Sequence, residues 1–216
     1  MASEHSHEPL TRIGRTADVQ VFHQECRRIA EILELVGSDR VVDIGCGDGT
    51  IAQVLSGLCA RWTGCDLSAK MVTVGHRNAT PSAGYCVASA TRLPFRNRMF
   101  DKVLIYGSLF YLDLEATMLA VAEAKRVCRP NGRILLGDLP DKSQKRAYEV
   151  STGFGWYRKG RSVGSGVLRY FTRKPRLLET WFSRSWVCSM FADRDYTVQI
   201  LDRDSRFRFD ALLVGR

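Results

Sequence analysis

No stretch of about 20 apolar residues occurs anywhere in the 216-residue chain, so no helical membrane span is expected. Metal chemistry is equally poorly provided for. Two of the four histidines, His5 and His7, sit in a polar N-terminal stretch, and no HExxH pair occurs. None of the seven cysteines has the CxxC spacing of a zinc or redox site. We therefore expect no metal, mostly buried and reduced thiols, and a cytoplasmic protein without membrane attachment. With 45% hydrophobic and 25% charged residues, the chain is neither fibrous nor disordered, and it is long enough to bury a core.

What the chain does have is an unevenly placed positive charge. The formal net charge is +9, and the segment 142–176 alone holds ten basic residues against one acid, Glu149. The rest of the chain is balanced. The same segment contains Phe154, Trp156, Tyr157, Tyr170 and Phe171. It reads either as a solvated loop or as a wall that attracts a phosphate- or carboxylate-bearing partner, with arginines as bidentate donors and aromatics as stacking surfaces.

Apolar spacing predicts a helix over 18–36, carrying Val19, Phe22, Cys26, Ile29, Ile32, Leu33 and Val36 on one face and stopped by Gly37. A short apolar run, Arg40 to Ile44, reads as a buried strand, and a helix restarts over Thr50 to Leu58. Arg61 to Leu67 reads as the next strand, with Ser68 as N-cap of a helix reaching Asn78. Further strands are expected at Gly84–Ala88, Phe100–Gly107 and Arg133–Asp138. A helix lies between the last two, Asp113 to Cys128, with Leu114, Met118, Val121 and Ala122 on one face; Pro130-Asn131-Gly132 ends it. A helix over about 175–191 precedes two strands, Tyr196–Leu201 and Arg206–Val214. Their four-residue link is too short for a crossover, so this pair is antiparallel.

The sharpest local signal is Val41-Val-Asp43-Ile-Gly45-Cys46-Gly47-Asp48-Gly49, where the first strand turns into a helix and glycines let backbone approach a ligand. Asp66 ends the second strand, where a carboxylate can accept both ribose hydroxyls of a nucleoside. Asp48 puts negative charge where a dinucleotide lays its pyrophosphate, and the third glycine comes one residue early for GxGxxG. A phosphate-free adenosyl ligand fits this loop better.

With these features the sequence resembles the class I S-adenosylmethionine-dependent methyltransferases from about residue 40 onward. VVDIGCGDG at 41–49 resembles the family's first motif, and GCDLS at 64–68 its ribose-binding strand end. SATRLPF at 89–95 resembles the adenine-side motif, MFDKVLIYGSLFYL at 99–112 the fourth strand, and LAVAEAKRVCRPNGRILLGDLP the helix and strand beyond. The resemblance implies an α/β, Rossmann-like seven-stranded sheet, mostly parallel with a C-terminal antiparallel hairpin and helices on both faces. It implies S-adenosylmethionine as cofactor and S-adenosylhomocysteine as product. Gly45, Cys46 and Gly47 would face the methionine end, Asp43 would support its amino group and Asp66 would hold the ribose. Leu67 and Met71 would flank the adenine, with Ser89 and Ala90 on its amino side, and Tyr106 would line the floor. Ser89 stands where the family often has an acid, which implies weaker or water-mediated adenine recognition.

One domain over 1–216 is expected: an N-terminal arm and helix to 37, a cofactor-binding core over 38–139, a basic aromatic segment over 140–176, and a C-terminal helix and hairpin from 177. Asp138 and Tyr111 are the leading catalytic candidates; Arg15, His23, Tyr148, Trp156 and Arg158 are candidates for acceptor binding. No Asn-Pro-Pro-Tyr-like segment follows the fourth strand and no Pro-Cys pair exists, which disfavours methylation of DNA bases. TRIGRT at 11–16 and GDLPDK at 137–142 are similar to segments of enzymes that modify sugars. The first reading is O-methylation of a small anionic acceptor such as a phosphorylated or nucleotide-linked sugar. RNA, a natural partner for cationic and aromatic residues, is the second. A non-catalytic protein that binds the cofactor is the third.

Overall fold

The computed structural model describes residues 19–151 and 180–216. Arg15, Trp156, Arg158 and most of the cationic segment lie outside those residues. Seven strands are described: β1 (Arg40–Ile44), β2 (Arg61–Asp66), β3 (Ala83–Val87), β4 (Phe100–Tyr106), β5 (Cys128–Pro140), β6 (Tyr196–Asp202) and β7 (Arg208–Gly215). The helices among the described residues are α1 (Val19–Leu33), α2 (Thr50–Leu55), α3 (Ala69–Arg77), α4 (Leu114–Val127), α5 (Lys145–Ser151) and α6 (Arg184–Phe191).

One sheet contains all seven strands in the order 3-2-1-4-5-7-6. Strands β1 to β5 pair in parallel, and β7 pairs antiparallel with both β5 and β6. The hairpin is therefore antiparallel as expected, but its second strand, not its first, adjoins the parallel part. Side-chain alternation sends each strand's residues to two faces. Val42, Ile44, Val103, Ile105, Ile134 and Leu136 pack with Ala120, Val121 and Ala124 of α4 and Val187 and Phe191 of α6. Val41, Leu104, Tyr106 and Leu135 pack on the other side with Cys26, Ile29 and Leu33 of α1, Leu55 of α2 and Val72 of α3. Covered on both faces, β1 and β4 are almost continuously buried, which is why they read as largely apolar runs.

Four local expectations are corrected. Helix α1 ends at Leu33, where Glu34 takes a left-handed φ of 50°, three residues before Gly37. Helix α4 buries Thr117, Ala120, Val121, Ala124 and Val127, whereas Leu114 and Met118 are 46% and 38% exposed. Two alanines on the inner face let the helix lie close to the sheet, so residue size misled the choice of face. Pro130-Asn131-Gly132 lies within β5, not at a helix end. Finally, of the helix expected over about 175–191, residues 175–179 lie outside the described residues, and α6 begins at Arg184, with the Ser183 side chain accepting from Trp186 N; Phe182 instead bridges Asp141.

Candidate active site

At the C-terminal ends of β1, β2 and β4 lies a cavity of about 300 Å³, within the size range of small-molecule sites. The end of β1 contributes Asp43, the β1–α2 loop Gly45, Cys46 and Gly47, and the start of α2 adds Thr50 and Ile51. Asp66, Ser68 and Met71 come from β2 and α3, and Tyr106, Gly107, Ser108 and Tyr111 from the end of β4 and the turn after it.

The loop conformation depends on glycine. Gly45 has a φ of +77°, and a Cβ there would meet the Ser108 side chain at 2.6 Å. The backbone N–H groups of Gly45 and Cys46 both donate to Cys65 O, at 2.7 and 3.0 Å, pinning the loop to β2. Gly47 N donates to Asp66 Oδ2 at 3.0 Å, and Ser68 N donates to Asp66 Oδ1 at 2.8 Å. The carboxylate is thus aimed by two backbone donors before any ligand arrives. Ser68, not Asp66, caps α3 by accepting from Met71 N. Asp48 does not line the cavity; its Oδ1 accepts from Thr50 N at 3.3 Å and Thr50 Oγ1 at 2.5 Å.

Asp43 is the unusual group. It is 1% exposed, and its Oδ2 is buried without a hydrogen-bond partner among the described residues. Burial, and next the neighbouring Asp66 charge, push its carboxyl up to about 7. The Trp62 indole pulls the other way without closing a hydrogen bond in this geometry. A buried carboxylate oxygen with nothing to accept from is costly and calls for an explanation. Burial also raises the Cys46 thiol, with the charge of Asp43 adding to it, so it stays a neutral S–H.

Of the ten expected cofactor residues, Asp43, Gly45, Cys46, Gly47, Asp66, Met71 and Tyr106 line the cavity. Leu67, Ser89 and Ala90 do not. Leu67 is 75% exposed, Ser89 bonds to Thr91 Oγ1 at 2.9 Å, and Ala90 packs against the core cluster on the α4 side. Thr50, Ile51, Ser68, Gly107 and Ser108 were not anticipated, although the last two stand in the strand-end segment at 99–112.

Tyr111, 45% exposed, lines the cavity. Asp138 stands beside it: a Cβ on Gly107 would come 3.7 Å from Asp138 Oδ2. Asp138 has a φ of 60° at the irregularity where β5 shifts register against β7, a strained conformation for a residue with a side chain. The strain is held in place, since Asp138 N donates to Asp210 Oδ1 at 2.8 Å and Arg208 Nη1 donates to Asp138 O at 2.8 Å and Oδ2 at 3.1 Å. Of the remaining acceptor candidates, the two described residues, His23 and Tyr148, do not line the cavity. His23 stacks edge-on with Phe22 on α1, and Tyr148 packs against Trp181 and Phe207, each at 5.4 Å between ring centres.

A larger cavity, about 370 Å³, lies at the other end of the strands between α4, β5 and β6. Its Lys125 is tied to Phe191 O at 2.6 Å and Asp193, and its Arg126 to Glu123 and Phe95 O. These contacts join elements of the fold, and we assign the chemistry to the smaller cavity.

Residues 42–136 match the family described as "Methyltransferase domain". A demethylmenaquinone methyltransferase from Beutenbergia cavernae is 33% identical over 100 residues, 46% of this chain and 40% of that one. A malonyl-[acyl-carrier protein] O-methyltransferase from Herminiimonas arsenicoxydans is 32% identical over 146 residues, 65% of this chain and 51% of that one. The chain thus spans about half the length of these curated relatives. Among solved structures, magnesium protoporphyrin IX methyltransferase from Synechocystis PCC 6803, with bound SAH, superposes with a TM-score of 0.65 at 16% identity, covering 89% of this chain and 83% of that one. At that identity the likeness is one of fold.

Proposed function

We propose that the chain is a class I S-adenosylmethionine-dependent methyltransferase, a reading supported by the match of residues 42–136 to the methyltransferase domain family, and that it methylates an oxygen of a small anionic acceptor, such as a phosphorylated or nucleotide-linked sugar. The observation that carries the donor assignment is the unpartnered Oδ2 of Asp43 beside a backbone cradle that a Cβ on Gly45 would fill. These residues fit the donor: a cationic amino group satisfies the orphaned carboxylate, and side-chain-free backbone admits the adjoining chain. When bound, S-adenosylmethionine supplies a methyl carbon made electrophilic by its positively charged sulfur. Asp66, pre-aimed by Gly47 N and Ser68 N, keeps further lone pairs for the two ribose hydroxyls. Met71 flanks the base, and Tyr106 forms the floor.

Methyl transfer is a displacement in line, so the protein's main task is alignment. In this reading Tyr111 orients the acceptor at the cavity rim, and the Asp138 carboxylate accepts its hydroxyl proton. An O-acceptor agrees with the named activity of the malonyl-[acyl-carrier protein] relative, and an anionic one with the basic residues of 142–176, of which Lys142, Lys145 and Arg146 are described. Calorimetry tests the donor: S-adenosylhomocysteine gives binding heat while NADH and FAD give none, and Asp66→Ala abolishes that heat in a protein that still unfolds cooperatively. Unchanged affinity in Asp66→Ala removes Asp66 from the site. The RNA alternative draws on the cationic segment alone; RNA binding that weakens steeply with salt would favour it.

A further inference from the structure

Tyr106 is the floor of the cavity, and its orientation is set from outside the cavity. Its ring lies on backbone, since a Cβ on Gly137 would collide with Tyr106 Cδ2. Its hydroxyl donates to Glu25 Oε1 of α1 at 2.6 Å and accepts from Arg203 Nη1. Arg203 belongs to the link between β6 and β7, lines no part of the cavity, and places its guanidinium carbon 5.5 Å from the centre of the Tyr106 ring.

Arg203 is itself held. Its Nη1 lies 2.9 Å from Glu25 Oε1 and 3.1 and 3.2 Å from the two oxygens of Asp210. Asp210 is 0% exposed; it also takes Arg28 of α1 and the backbone N–H of the strained Asp138. Two guanidiniums, two carboxylates and one phenol thus form a single, partly buried network reaching from the donor floor to the acceptor end. Arg203 Nε is buried within it without a partner among the described residues. A network built for stability alone has little reason to bury that orphan, because apolar side chains of similar volume are often as stable.

We propose that Arg203 is a positioning residue of the methyl-donor pocket, acting through the Tyr106 hydroxyl to fix the floor ring, with Asp210 holding Arg203 in register with Asp138. The proposal rests on the donor assignment above, and the test separates the two. The probe is S-adenosylhomocysteine, titrated calorimetrically into the full chain, with thermal unfolding followed in parallel. Arg203→Met and Tyr106→Phe are each expected to weaken binding about tenfold, the scale of one buried hydrogen-bonding group left without its partner. The double variant is expected to bind no more weakly than either single one, because both changes remove the same anchor.

Losses that multiply in the double variant would show that Arg203 acts by another route and overturn the proposal. So would Arg203→Met unfolding at lower temperature yet binding with unchanged affinity, the behaviour of a purely structural arginine. Should Arg203→Met not fold, Tyr106→Phe, which removes one oxygen and keeps the ring, decides: wild-type affinity there sinks the idea. Absence of binding by the wild-type chain would instead sink the donor assignment.

Discussion

Asp43 concentrates the site's chemistry in one ionisable group. An ordinary aspartate titrates near 3.8, whereas here burial, with Asp66 adding to it, brings the group to about 7. Between those values the folded protein keeps a proton that the unfolded chain has released. The group's contribution to stability is therefore fully present below about pH 4 and is lost as pH rises through about 7. Asp43→Asn is expected to unfold at higher temperature than wild type at about pH 8, with the gap narrowing as pH falls and closing by about pH 4. A cationic donor favours the ionised carboxylate, so binding S-adenosylhomocysteine near pH 6.5 should release a proton, read as heat that varies with the buffer's ionisation enthalpy. The Asp43→Asn variant should show no such variation. The glycine loop, Asp43 and Asp66 were legible because their chemistry is local: one strand end, one turn, one carboxylate. Glu25, Arg203 and Asp210 were not, since Glu25 and Arg203 stand 178 residues apart and no spacing rule links them.

Helices and strands differ in how plainly they announce themselves. Covered on both sides, the central strands show as apolar runs, and their observed limits lie within a residue of expectation for β1, β2, β3 and β4. Helix faces were harder, because α4 turns alanines inward and leaves larger side chains outside. Its start is well specified: Asp113 Oδ1 accepts from Ala116 N at 2.8 Å, and Lys125 and Arg126 occupy the last turn. Asp113→Ala should cost about 1 kcal/mol of stability, measured by denaturant unfolding, and should leave affinity for S-adenosylhomocysteine unchanged because α4 contributes nothing to the cavity wall. Helix α6 was placed too early because Ser183, an ordinary serine in sequence, is the residue whose side chain sets its start.

Across the whole molecule, the decisive feature is β7 inserted between β5 and β6. The short link implied an antiparallel pair but carried no information on which member meets β5; that choice belongs to tertiary packing, with Phe209, Ala211 and Leu213 buried on the α4 side and Asp210 buried on the α1 side. Phe209→Ala should cost about 3–5 kcal/mol, visible as a fall in denaturant midpoint, since it empties the centre of that joint. The same insertion has a consequence for biosynthesis. While the polypeptide leaves the ribosome, β5 waits with one edge unpaired until β7 emerges, the Arg28–Asp210 clasp cannot close before residue 210 is out, and the Arg203 hold on Tyr106 cannot close before residue 203 is out. A nascent chain stalled short of residue 203 would offer chaperones an open strand edge and a misaligned donor floor.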